Sequence, residues 1–93
     1  APGASVVKAF NTIHAEVIQD PGFGEDLPTC FYCGDDESAK DAVVELIEDC
    51  NFDPVDCGPL RASRYLEAMA GLIVQLSMKM GWGVDNALLF VER

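Results

Sequence analysis

Four cysteines, one histidine, an acidic run and two Gly-x-Gly triplets are the residues of this 93-residue chain whose types and spacing could do chemistry. Cys30 and Cys33 form a C-x-x-C, and Cys50 and Cys57 follow. Such thiols serve as small core residues, as a redox pair or as metal ligands. A zinc ribbon needs two tight pairs, because each pair wraps two thiolates onto one tetrahedral ion. Here six residues separate the second pair. The first pair also falls in an expected strand, where positions three apart point to opposite faces. The spacing favours structural thiols over a redox pair or a metal site, and no metal ligand is assigned.

The remaining candidates are each set against a plainer reading. Asp35-Asp36-Glu37 could bind a metal or move protons, but it stands where a helix start needs capping. His14 is the only histidine, and spacing places no Ser or Cys partner beside it. Gly81-Trp82-Gly83 opens like a dinucleotide fingerprint. That fingerprint needs a strand before it, a third glycine and a helix after it; here a helix precedes and Asn86 takes the third glycine's place. Gly22-Phe23-Gly24 fails the same test. No phosphate-cradling loop is expected, and no catalytic residue is assigned. Arg61 and Arg64, one turn apart, read as salt-bridge partners for nearby carboxylates or as an anchor for an anionic ligand tail or a neighbouring domain.

The elements that must position these residues follow from pattern. Residues 5–10 cluster β-branched side chains and read as a strand, and residues 13–19 as a short helix. Pro21, Gly22 and Gly24 mark a loop. Residues 28–33 form a second strand. Residues 38–49 are an amphipathic helix: Ala39, Val43, Leu46, Ile47 and Cys50 recur at three- and four-residue steps, with Lys40, Asp41, Glu45 and Glu48 elsewhere. Residues 52–57 are a third strand, which Pro54 pushes to a sheet edge. Pro59 then suits the first turn of a long helix over about residues 60–80. That helix is apolar nearly all round, so it should be buried on most sides or paired with another chain. For residues 84–91 helix and strand both stay open. The alternation gives an α/β fold: three short strands alternating with helices, closed by a long apolar helix.

Composition bounds the function. The chain is one small domain, of a size that buries only ~60–65% of its unfolded surface. Sixteen Asp+Glu against six Lys+Arg give a formal net charge of −10. That argues against a nucleic-acid partner, which needs a basic face, and against an anionic membrane surface. Residues 66–80 are interrupted by Gly71, Gln75, Ser77 and Lys79 and fall short of the ~20 apolar residues of a span. The chain opens at Ala1 with no basic and apolar leader. The expectation is a cytoplasmic protein, a fragment or processed chain, without a disulfide framework.

Three motifs in order carry a family resemblance: Val6 to Ile13 (V-V-K-A-F-N-T-I), Cys33 to Asp36 (C-G-D-D), and Pro54 to Glu67, with its D-x-G-P-L-x-x-S-R-x-x-E spacing. Together they resemble the C-terminal half of the coenzyme F-420-dependent NADP reductase family. The resemblance implies hydride transfer between NADP(H) and a deazaflavin, flavin or related acceptor. It implies a chain that begins at the last parallel strand of a Rossmann sheet, followed by two added strands antiparallel to the rest. An N-terminal nucleotide-binding domain would be its missing partner. Carried over residue by residue, Asn11, Thr12 and Ile13 match the pocket floor beside the nicotinamide. Met80, Gly81 and Trp82 fall in the segment lining the deazaflavin or flavin side. Such a chain is expected to be inactive alone and to hold no cofactor tightly.

Two other classes remain in view. The wide apolar face of the long helix and an unpaired strand edge favour a homodimerisation module without catalysis. The four cysteines keep a small metal or redox protein as the third.

Overall fold

Alternation along one strand sets the architecture of this computed structural model, which describes residues 5–19 and 27–92. The loop expected around Pro21 to Gly24 lies outside the described residues. The central strand β2 (Thr29–Gly34) is buried along its whole length. Its side chains point alternately to two faces, as a strand's must. Cys30 and Tyr32 enter one cluster with Val17, Ile47 and Phe52. Phe31 and Cys33 enter another with Ala62 and Leu66. A strand covered on both sides reads as a near-continuous apolar run, and Cys30 to Cys33 supplies it, while the buried Thr29 hydroxyl at the strand's start is paired with the Phe90 N–H.

The flanking strands are β1 (Val7–Ala9) and β3 (Asp53–Asp56), in the order β1-β2-β3. β1 runs antiparallel to β2, with Lys8 opposite Cys33. β3 runs parallel to β2, with Tyr32 opposite Asp56. The two later strands thus both oppose β1, and β3 is the edge that Pro54 called for. β1 is shorter than the expected 5–10, because Phe10 takes a left-handed φ of 63° and turns the chain out of the sheet.

α1 (Ala15–Gln19) and α2 (Glu37–Asp49) follow β1 and β2. α2 starts where its cap dictates: the Asp36 carboxylate accepts the Ala39 N–H at 3.0 Å. Its phase differs from the expectation in two places. Leu46 is exposed, whereas Lys40 is buried on the line of Val43 and Ile47. Lys40 tolerates this because Asp56 Oδ1 lies 2.8 Å from its Nζ, so the buried charge is paired.

The long helix expected over residues 60–80 is three pieces. A 3-10 turn (Leu60–Ala62) leads into α3 (Ser63–Val74), which ends in a π turn (Gln75–Lys79). Only one side is buried, through Ala62, Leu66, Ile73 and Ser77; Tyr65, Leu72, Val74 and Met78 are more than half exposed. The expectation of burial on most sides therefore fails: one sheet face covers only one stripe of a helix. Residues 84–91 are neither helix nor strand. They run back to the start of β2, where Leu88 O accepts the Thr29 N–H and Thr29 Oγ1 accepts the Phe90 N–H, both at 2.8 Å.

Candidate functional site

The chain leaves β1 through a strained residue. A left-handed φ at a bulky residue such as Phe10 costs of order 1–2 kcal/mol and persists only where its surroundings hold it. The Phe10 ring is held edge-on against Phe52, with centroids 6.1 Å apart. The Phe10 carbonyl accepts the Ile13 N–H at 3.3 Å, closing a turn around Asn11 and Thr12.

That turn buries polar atoms without satisfying them. Among the described residues, neither Asn11 Oδ1, Asn11 Nδ2 nor Thr12 Oγ1 has a hydrogen-bond partner, and all three are shielded from solvent. Buried polar groups are nearly always paired, and an unpaired one costs about 1–3 kcal/mol. Backbone strain and unsatisfied polar groups thus coincide in three consecutive residues. Ile13, the third residue of the expected pocket floor, is partly buried and packs on the α2-side core.

The second expected segment closes the π turn. The amides of Met80, Trp82 and Gly83 donate to the carbonyls of Gln75, Leu76 and Ser77, each at 3.0 Å. Gly81 and Gly83 have φ of 76° and 77°, so the chain can fold back over the helix end. Met80 and Trp82 are left largely exposed.

One side-chain contact brings the two segments together. His14 Nε2 lies 2.8 Å from Ser77 Oγ, and Asn86 Nδ2 reaches the same hydroxyl at 3.5 Å. Ser77 is buried within the π turn, a local distortion that recurs at functional sites. The six expected site residues therefore lie on two segments joined through His14 and Ser77, which sequence spacing missed. The two are far apart in the chain, and no local pattern announces such a pair.

The cysteines divide between the two faces. Cys30 lies in the α2-side core and Cys33 in the α3-side core, so the C-x-x-C cannot close on one ion. Burial pushes the Cys30 thiol up to about 11, and raises Cys33 and Cys57 as well. Such thiols stay protonated near neutral pH and are poor nucleophiles.

The acidic run is structural. Asp36 caps α2 and accepts the Ser5 hydroxyl at 2.8 Å, and Asp35 accepts the Leu60 N–H at 2.9 Å. A cavity of about 560 Å³ opens beside it, where Gly34, Asp56 and Gly58 meet the start of α2. Ligands of α/β proteins often sit outside the carboxyl ends of strands. Here, however, the Lys40 ammonium on the wall is already held by Asp56 and by the Gly58 carbonyl at 3.2 Å. Asp56 also accepts the Gly58 N–H at 2.8 Å. Arg64 lies against the Tyr65 ring at 5.2 Å. Among the described residues neither Arg61 nor Arg64 meets a carboxylate, so the expected salt bridges are not formed there.

The architecture matches part of a reductase of known structure. A crystal structure from Arthrobacter sp. FB24, assigned provisionally as an F420-dependent NADP reductase, superposes with a TM-score of 0.82 at 30% identity. The match covers 97% of this chain and 41% of that one. An F420-dependent NADP reductase of Methanocaldococcus jannaschii is 34% identical over 77 residues, 82% of this chain and 34% of its own length. The metalloreductase STEAP3 of Rattus norvegicus is 34% identical over 87 residues, 94% of this chain and 17% of its own length. No protein-family model matches. The chain is a homologue of the F420-dependent NADP reductases, related also to the STEAP metalloreductases. It spans about a third of the length of the methanogen reductase and less than a fifth of the rat metalloreductase.

Proposed function

We propose that this chain is the C-terminal, acceptor-side part of an NADP-dependent oxidoreductase that passes hydride between NADP(H) and a deazaflavin or flavin. The observation that carries the reading is the strained turn at Phe10, which holds the Asn11 amide and Thr12 hydroxyl buried and unpartnered. Homology to F420-dependent NADP reductases supplies the reaction class.

The residues present fit the group. An unpaired side-chain amide offers one donor and one acceptor side by side, which complements a carboxamide or the imide edge of a ring. Asn11 and Thr12 would hold the nicotinamide side, and Met80, Gly81 and Trp82 would border the acceptor. When bound, NADP and the deazaflavin or flavin supply the hydride donor and acceptor. The chain's task is to orient two rings face to face and exclude water, so no side chain here needs to move a proton. Trp82 offers an exposed apolar plate for that purpose, and the His14–Ser77 bond ties the segment before it to the turn that follows Asn11.

In this reading β1 is the last strand of a larger parallel sheet, its free edge facing a nucleotide-binding domain that carries the phosphate cradle. The chain alone is then inactive and holds no cofactor tightly. It belongs to a reducing, cytoplasmic setting, which suits its four free thiols. No helix among the described residues is long and apolar enough to cross a membrane.

Amide chemical-shift mapping of the labelled chain tests the assignment. Oxidised F-420 at millimolar concentration is expected to shift residues 80–83 and NADPH residues 11–14. Shifts confined to the cavity beside Lys40, or none at all, would overturn it.

A further inference from the structure

We propose that Cys33 and Cys57 form a modification site, a thiol pair that hydrogen peroxide closes into a cross-strand disulfide. The inference does not rest on the hydride-transfer reading and uses residues outside that site.

Strand register is the first observation. β2 and β3 run parallel, and Tyr32 stands opposite Asp56. One more step along both strands brings Cys33 beside Cys57. Backbone bonds bracket the pair: the Cys57 N–H donates to Tyr32 O at 2.7 Å, and the Gly34 N–H donates to Gly58 O at 3.0 Å. Neighbouring strands stand about 4.8 Å apart, within the Cα separation of about 4.4–6.8 Å that a disulfide spans.

A shared face is the second observation. Cys33 is a buried member of the α3-side cluster, and Cys57 packs against that same cluster. Burial raises the Cys57 thiol and charge on Cys33 raises it further, so the two sulfurs lie within each other's field. The Cys33 S–H donates to Leu60 O and the Cys57 S–H to Val55 O, each a weak contact at 3.8 Å that oxidation can give up. Cys30, by contrast, has Pro54 opposite it in the register. Its neighbouring thiol, Cys50, closes α2, where no strand ladder sets the spacing.

Exposure sets the order of events. Cys33 is fully buried, whereas Cys57 is partly exposed and meets peroxide first. The Cys57 sulfur takes one peroxide oxygen and becomes a sulfenic acid, and the other oxygen leaves as water. The Cys33 sulfur then attacks the Cys57 sulfur. The S–S bond forms, the S–O bond breaks, and hydroxide leaves with the Cys33 proton as a second water. Two electrons pass from the thiols to the peroxide. Thiols held protonated by burial react slowly at neutral pH, and the fixed register supplies the proximity that nucleophilicity lacks. The crosslink clamps the Gly58-Pro59 turn, and with it the start of α3, to the end of β2. A dithiol reductant opens it again by exchange.

Peptide mapping of the folded chain after peroxide treatment, with the remaining thiols alkylated, tests the proposal. Cleavage after Phe31, Tyr32, Lys40 and Phe52 separates the four cysteines. A Cys33–Cys57 bond within one chain is expected to exceed every other pairing by about tenfold or more, and dithiothreitol should reverse it. Cys30→Ala combined with Cys50→Ala should form the bond as readily. In Cys57→Ala the buried Cys33 should stay a thiol. In urea the preference should vanish, because short loops such as Cys30–Cys33 then close most easily. A dominant Cys30–Cys50 bond, bonds only between chains, or sulfinic acid at Cys57 without a crosslink would overturn the proposal. So would four thiols left intact, or a Cys33–Cys57 preference unchanged in urea.

Discussion

His14 and Ser77 stand 63 residues apart in sequence and 2.8 Å apart in space, Nε2 to Oγ. The bond ties the turn after β1 to the π turn after α3. A partly buried bond of this kind contributes about 1 kcal/mol net. Ser77→Ala and His14→Ala should each destabilise the chain by about 1–2 kcal/mol in urea titrations. The double variant should show a coupling energy of about 1 kcal/mol. A coupling of zero would mean that the two residues do not meet in solution.

Thr12 carries a prediction of opposite sign. Its hydroxyl is buried and unpartnered, so Thr12→Val keeps the shape and removes a desolvation penalty. The thermal midpoint should rise, by the equivalent of about 1 kcal/mol, while NADPH-induced shifts at residues 11–14 weaken. A loss of stability would show that the hydroxyl has a partner within the folded chain, and that the site is wrongly placed.

The Lys40–Asp56 pair gives a pH dependence. Burial alone would raise the Asp56 carboxyl, but the Lys40 bond and the Gly58 N–H outweigh it and hold the group below its ordinary 3.8. The Asp56 bond raises Lys40 above its ordinary 10.5, against the opposing effect of burial. Asp56 thus stabilises the fold above its unfolded pKa, and the gain is lost as pH falls through the lower folded value. The Lys40 contribution is present below 10.5 and is lost as pH rises through its higher folded value. Asp56→Asn should cost about 2–3 kcal/mol at pH 7, less than for a fully buried pair because Asp56 is partly exposed. The difference from the parent should shrink below about pH 3.8, measured by urea midpoints across a pH series.

Gly34 and Gly58 should differ in why they resist substitution. A Cβ on Gly34 would stand 3.1 Å from both Val6 O and Val7 Cγ2, so Gly34→Ala must push β1 outward. Gly58 has open space around it but a φ of 98°, so there only the backbone objects. Each should cost about 1–3 kcal/mol. Gly58→Asn should recover part of the loss, because asparagine tolerates a positive φ better than alanine does. Equal losses for Ala and Asn at position 58 would rule out the backbone explanation.

Much of the fold was legible because its signals are local. The cap at Asp36, the apolar run of β2 and the Pro54 edge each act within a few residues. Lys40 was misplaced because its partner lies on another element, and a lone lysine on an apolar line reads as solvated. The apolar content of residues 60–80 calls for cover on most sides or a second chain, and the fold covers one stripe, because apolar content says what avoids water, not which neighbour covers it. Asn11 and Thr12 came from resemblance; the strain at Phe10 that singles them out is a property of φ, which composition does not reveal. Ser77 had no signal at all, since its role depends on a histidine at the far end of the chain.

In the proposed reading, this chain is one side of a hydride-transfer site, and the nucleotide sits on another part of the polypeptide. NADPH oxidation with F-420 as acceptor, followed by absorbance, tests it most directly. The 93-residue chain alone should show none, whereas the polypeptide of its complete reading frame should turn over and lose at least about tenfold in kcat/KM with Trp82→Ala. Turnover by the chain alone, or a complete reading frame with no activity toward F-420 or a flavin, would contradict it.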